Sequence, residues 1–179
     1  MKALAVYCGA NPGHVPLYAD AARALGRVMV EHNIALVYGG GNVGLMGTIA
    51  DEVLRLGGEV SGVIPRQLVD RELAHAGLTR LFVVKDMHER KAMMAELADG
   101  FVALPGGMGT LEELFEMLTW LQLEIHAKPV GVLNVGGFYD LLVQFVGHAH
   151  AEGFIRPQHA QLMQVEADPD ALIRRLMHV

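Results

Sequence analysis

Residues 101–122 read FVALPGGMGTLEELFEMLTWLQ, and this stretch decides the fold. An apolar run, a turn with glycine at 106, 107 and 109, and an apolar pattern at three- and four-residue spacing mark a strand, a tight turn and a helix. In an α/β protein such a turn offers backbone N–H groups to a phosphate at the positive end of the helix. Thr110 stands where the helix is expected to begin, with its hydroxyl placed to cap it or to touch a phosphate oxygen. Thr110-x-x-Glu113 is also a capping box, which accounts for both residues without any chemistry. The spacing points Leu111, Leu114, Phe115, Leu118 and Gln122 at a sheet, and sets Glu113 on another face with Met117, Trp120 and Glu124. That second face carries large apolar groups, so a partner subunit is expected to cover it.

Working outward, strands are expected at 3–8, 34–38, 59–64, 80–84, 101–104, 130–135 and 162–165. Helices are expected at 17–32, after the GGGNVGLMG loop to 56, at 86–98, 110–125 and 138–152, and behind an Asp168-Pro169 cap to 177. Strands alternating with helices, nearly continuous apolar strands and no internal repeat predict an α/β fold. The expected form is a single Rossmann-like doubly wound parallel sheet flanked by helices, in one domain spanning 1–179. Ligands of such sheets sit at the carboxyl ends of the strands, where both glycine loops fall.

The second loop, Gly39-x-Gly41-x-x-Gly44, matches the dinucleotide spacing, a weak signal alone. It follows the second strand rather than the first, and the acid twenty residues on, Glu59, opens its strand, which weighs against NAD. Two readings remain: a tight turn that lets a helix approach the sheet, and a cradle for one phosphate or ribose involving Gly40, Gly41 and Asn42. Asp86-x-x-Glu89 is a capping box at the start of the preceding helix. Arg90 and Lys91 in the same first turn oppose the helix dipole. An anionic partner would explain them, and a solvated basic pair is the alternative.

The chain is 52% hydrophobic and 19% charged, so a large buried sheet or a subunit interface is expected. With a net charge of −6 and no basic cluster beyond two residues, it lacks the electrostatic footprint of a nucleic-acid binder. A lone Cys8 excludes an intrachain disulfide, reads as a small buried residue and fits a cytoplasmic location. No run of eighteen apolar residues suggests a membrane span. The nine histidines show no ligand spacing, so neither a metal site nor a cofactor is expected.

With CGA at residues 8–10, LVYGGGNVGLMG, MHERKAMM, PGGMGTLEE, the tryptophan helix and GFI at 153–155, the chain resembles the LOG ("lonely guy") family. These are cytokinin-activating phosphoribohydrolases, long described as lysine decarboxylases. The resemblance implies hydrolysis of the N-glycosidic bond of a nucleoside 5'-monophosphate, a cytokinin riboside 5'-monophosphate, AMP or both, to free base and ribose 5-phosphate. It implies a homodimer with active sites near the interface. It places the catalytic pair on Arg90 and Glu113, and substrate contacts on Glu72, Lys91, Gly107, Met108, Gly109, Thr110, Leu111, Glu112 and Thr119. Gly106 completes the phosphate turn. Asn42 and Met108 stand where the family commonly has a serine or threonine and a tyrosine. Glu113 is expected to activate water and stabilise a sugar cation, and Arg90 to orient the substrate. A nucleotide carrier or sensor with the same loops is the alternative. A pyridoxal-dependent decarboxylase would need a Schiff-base lysine, and none of Lys2, Lys85, Lys91 and Lys128 has the setting expected for one.

Overall fold

Seven apolar runs form strands that pair side by side, all parallel, in the order β4-β3-β2-β1-β5-β6-β7. They are β1 (Ala3–Tyr7), β2 (Ala35–Tyr38), β3 (Val60–Pro65), β4 (Arg80–Val84), β5 (Phe101–Ala103), β6 (Val130–Leu133) and β7 (Met163–Glu166). The helices are α1 (Pro16–Glu31), α2 (Gly44–Arg55), α3 (Met87–Leu97), α4 (Met108–Gln122), α5 (Asp140–Ala151) and α6 (Pro169–Met177). The computed structural model describes residues 1–69 and 74–178.

Successive side chains of a strand point to opposite faces, and β1 shows how this builds two cores. Leu4, Val6 and the following Cys8 lie in a core with α1, α2 and α6, whereas Ala5 and Tyr7 lie in a second core with α3 and α4. Chain order runs outward from β1 to β4, then returns through α3 to β5 on the other side of β1. The sheet therefore reverses its direction of growth between β1 and β5, the place where an open α/β sheet leaves a crevice above its carboxyl edge.

The fold matches the expected class, and α4 departs from the expected detail. It starts at Met108 with Gly107 as its N-cap and no side-chain cap bond. Thr110 is therefore inside the helix, and the capping box expected from Thr110 and Glu113 does not form. The glycine turn lets the backbone enter the helix two residues early, which carries Glu113 too far along to reach back to the cap. The buried side of α4 is Thr110, Glu113, Leu114 and Met117, while Phe115 is exposed. Met117 is fully buried within the protomer, so the Met117/Trp120 face is not the one left for a partner. Apolar spacing misplaced the stripe because two of its four inward residues are polar. At α3, Asp86 accepts from the N–H groups of His88 and Glu89 as a cap should, but Glu89 accepts from Lys85 N–H, one residue earlier than a regular box.

Glu52 of α2 joins the two helices that cover one face. Arg55 donates to it at 2.8 and 2.9 Å, and Arg27 of α1 donates at 3.1 Å. The Arg55 bonds, helped by Arg27, outweigh the burial that disfavours the charge and hold the carboxyl down at about 2. An unfolded-chain glutamate titrates near about 4.3, so this stabilisation is complete above that pH and is lost as pH falls toward about 2. Glu52→Gln is expected to lower the melting temperature at neutral pH and to reduce the slope of stability against pH in that acid window. Thermal melts of the two proteins across the window check this, and parallel slopes would show that the bridge does not form in solution.

Candidate active site

Three loops at the carboxyl edge are joined through one residue. Gly9, after β1, donates its N–H to Pro105 C=O at 3.1 Å and accepts from Leu45 N–H at 3.0 Å. Gly9 thus ties the β1–α1, β2–α2 and β5–α4 connections together. A Cβ at position 9 would lie 2.8 Å from Asn11 O, so the tight turn of this loop requires glycine. Tyr139 braces the same edge by donating its hydroxyl to Leu104 C=O at 2.6 Å.

These loops enclose a cleft of about 410 Å³. Residues 9–13 form one wall, and Gly106, Gly107, Gly109 and Thr110 form another. Leu45, Met46, Leu68 and Met87 supply apolar surface, and Tyr18 and Phe138 stand edge to face at 5.7 Å at its side. Arg90 and Glu113 both line it while remaining largely buried, with Arg90 Nε 3.9 Å from Glu113 Oε1.

Arg90 reaches this position because the second glycine loop makes room. A Cβ on Gly39 would fall 2.0 Å from Arg90 Nη2, so the guanidinium lies directly over that α-carbon. Thr110 is seated the same way: a Cβ on Gly106 would come 2.1 Å from its Oγ1. Gly40, with φ of 78°, and Gly41, which bridges to Ala74, shape the turn but do not line the cleft, and exposed Asn42 does not line it either.

Helix ends set the electrostatics. The first N–H groups of a helix have no partner within it. α3 and α6 satisfy some of theirs with Asp86 and Asp168, whereas α1, α2 and α4, which all contribute to the cleft, have Val15, Val43 and Gly107 as N-caps and no side-chain cap bond. The positive end of α4 therefore opens on the cleft beside the Arg90 cation. Cys8 lies at the cleft floor, where burial first, and then the Glu113 charge, push its thiol well above the usual range. That disfavours a nucleophilic thiolate. Beneath the pair, Tyr7 is buried, and among the described residues its hydroxyl has no hydrogen-bond partner.

Of the other residues singled out by sequence, Met108 is 85% exposed at the start of α4 and Leu111 is half-buried. Lys91 binds Glu112 and Glu116 instead of facing the cleft. Thr119 donates to Phe115 C=O at 2.7 Å and lies on a separate groove between α4 and α5. Glu72 lies outside the described residues. Sequence reading missed the wall at residues 9–13, whose contribution is mostly backbone, together with Tyr18 and Phe138. The position of that loop at the end of the first strand was the available signal.

A family profile described as "Possible lysine decarboxylase" matches residues 46–176. The cytokinin riboside 5'-monophosphate phosphoribohydrolase LOG7 of Arabidopsis thaliana is 49% identical over 175 residues, 98% of this chain and 81% of that protein. The chain belongs to the LOG family. A phosphoribohydrolase of the same name from Rhodococcoides fascians is 52% identical over 157 residues, 87% of this chain and 79% of that protein. Among solved structures, the molybdenum cofactor binding protein of Rippkaea orientalis superposes with a TM-score of 0.75 at 22% identity, covering 98% and 95% of the two chains. The Moco carrier protein of Chlamydomonas reinhardtii gives 0.72 at 20% identity, covering 98% and 97%. At this identity the likeness is one of fold. The lysine decarboxylase description fits Lys91 and Lys128 poorly: Lys91 is held by two carboxylates, and Lys128 Nζ donates to Ala95 C=O at 2.6 Å. In this LOG family member the Gly39 approach is open to direct test. Gly39→Ala is expected to fold with little change in melting temperature, because the atom it meets is the far end of a side chain. Its crystal structure should show the Arg90 guanidinium displaced; an unmoved guanidinium would refute the approach.

Proposed function

We propose that the protein hydrolyses the N-glycosidic bond of nucleoside 5'-monophosphates, cytokinin riboside 5'-monophosphates or AMP, to free base and ribose 5-phosphate. The observation that carries this reading is the buried Arg90–Glu113 pair beside the uncapped positive end of α4. Breaking the ribose C–N bond builds positive charge on the sugar. Glu113 stabilises that charge and takes a proton from water, whose oxygen bonds to C1' as the C1'–N bond breaks onto the base; the proton then passes through solvent to the base nitrogen, which restores the carboxylate. Arg90 orients the substrate and balances charge near the phosphate. The N–H groups of 107–110, with the Thr110 hydroxyl, hold the 5'-phosphate. Gly106 and Gly39 act by leaving room. The identity to the named phosphoribohydrolases supports the same reaction class.

Incubation with AMP and with isopentenyladenosine monophosphate, followed by chromatography of the products, is expected to yield free base and ribose 5-phosphate. Glu113→Gln should slow release by about 10²-fold or more, as for loss of a general base, and Gly39→Ala by about 10²-fold through misplacement of Arg90. Nucleotide binding without release would favour a carrier, and full activity in Glu113→Gln would overturn the mechanism.

The active unit is proposed to be a homodimer formed through α4 and α5. None of the α5 residues is buried: Leu141 and Phe145 are 79% and 64% exposed, as is Phe154 just beyond at 87%. The neighbouring groove, lined by Phe115, Leu118, Val146, Ile155 and Met163, continues this apolar surface. Such a continuous patch is unusual for an isolated protomer. Sedimentation velocity at micromolar concentration is expected to give a dimer, and Phe145→Asp a monomer. A monomeric wild type would dispose of the proposal.

A further inference from the structure

α3 and α4 flank β1 on one face of the sheet, with Tyr7 in the same core between them. The buried residues in the first half of α3 are Arg90 and Lys91, so charge rather than an apolar stripe anchors that end. Lys91 is 7% exposed and does not line the cleft. Its ammonium is hydrogen-bonded to Glu112 and stands 3.1 Å from Glu116 Oε1. Those two acids lie one residue before and three residues after Glu113, so Lys91 grips the turn of α4 that carries it. Arg90 Nε stands 3.9 Å from Glu113 Oε1, and each charge is carried on a different helix, so the setting of α4 against α3 governs how they meet.

We propose that Lys91 is a positioning residue, whose ammonium, held between Glu112 and Glu116, sets α4 against α3 so that Glu113 stands opposite Arg90. This rests on the hydrolase reading of Glu113. Burial works against the Lys91 charge, but the bonds from Glu112 and Glu116 outweigh it and raise its pKa above the ordinary range, so the clamp stays charged at neutral pH. Without Lys91, Glu112, Glu113 and Glu116 crowd two turns of α4, and Glu112 and Glu116 lose the cation that binds them both. Glu116 Oε2, buried and lacking a hydrogen-bond partner among the described residues, is then left without its counter-charge. The resulting repulsion shifts the helix start, and a displacement of about 1 Å at the reacting group costs about 10²-fold in rate.

The test is steady-state AMP hydrolysis by wild type, K91R, K91M, E116Q and the K91M/E116Q double variant. Lys91→Met is expected to lower kcat at least about tenfold with KM within about threefold, and Lys91→Arg to recover most of the loss. The double variant should be no slower than K91M, since both changes release one clamp. A direct contact between Lys91 and the substrate phosphate predicts the reverse: KM rises with kcat retained, and the two single effects add. That result would overturn the clamp and leave the hydrolase reading standing. A wild type that releases base from no nucleotide would overturn the hydrolase reading and the clamp with it. Should K91M fail to fold, E116Q decides: a lower kcat at constant KM supports the clamp, and wild-type kcat overturns it.

Discussion

Two opposite charges, on Arg90 and Glu113, are withdrawn from water at the same corner of the sheet, and much of the surrounding structure exists to make that tolerable. Removing an ion from water costs several kcal/mol even after relaxation, about the scale of a whole domain's net stability. The cation sits in the first turn of its own helix, where the dipole opposes it. Asp86 and Glu89 at that helix start, the Gly39 α-carbon that leaves the guanidinium its space, and the adjoining Lys91 cluster together offset the expense. An architecture with a side chain at position 39 could keep the same sheet and lose this corner.

The distribution of helix caps follows the same logic. α3 and α6 begin with aspartate caps, whereas α1, α2 and α4, three of the helices that reach the cleft, have valine or glycine at their N-caps. A capped helix spends its N–H groups internally; an uncapped one leaves them for solvent or ligand. At the start of α4, helix stability is conceded to the cleft, as expected where binding competes with folding for the same donors.

The strands, their order of appearance and the glycine turns were legible because each has a local cause: continuous apolar runs for a sheet covered on both faces, and glycine where backbones approach closely. Arg90 could be singled out because a cation in a first helical turn is locally odd; Glu113 reads locally as half of a capping box, and the family resemblance is what marked it as catalytic. The orientation of α4 was not legible. Periodicity assigns polar residues to the outside, whereas Thr110 and Glu113 face inward because a cleft, not a core, lies in front of them. The 9–13 wall escaped for a related reason, since backbone groups leave little mark on residue type. Nor could spacing reveal that Lys91 turns toward acids on the next helix, because that contact depends on how α3 and α4 lie side by side across β1.

Gly9 has a further consequence. Its N–H and C=O bind different loops, so the three connections around the cleft share one hinge point and cannot move independently without breaking a backbone hydrogen bond. Opening any wall by itself means stranding a polar group in a crevice with few alternatives. The receptor is therefore preformed along that rim, and a ligand entering it forfeits little conformational freedom of the protein. Discrimination between ligands then rests on fit to a fixed outline, with little contribution from loops that fold around whichever guest arrives.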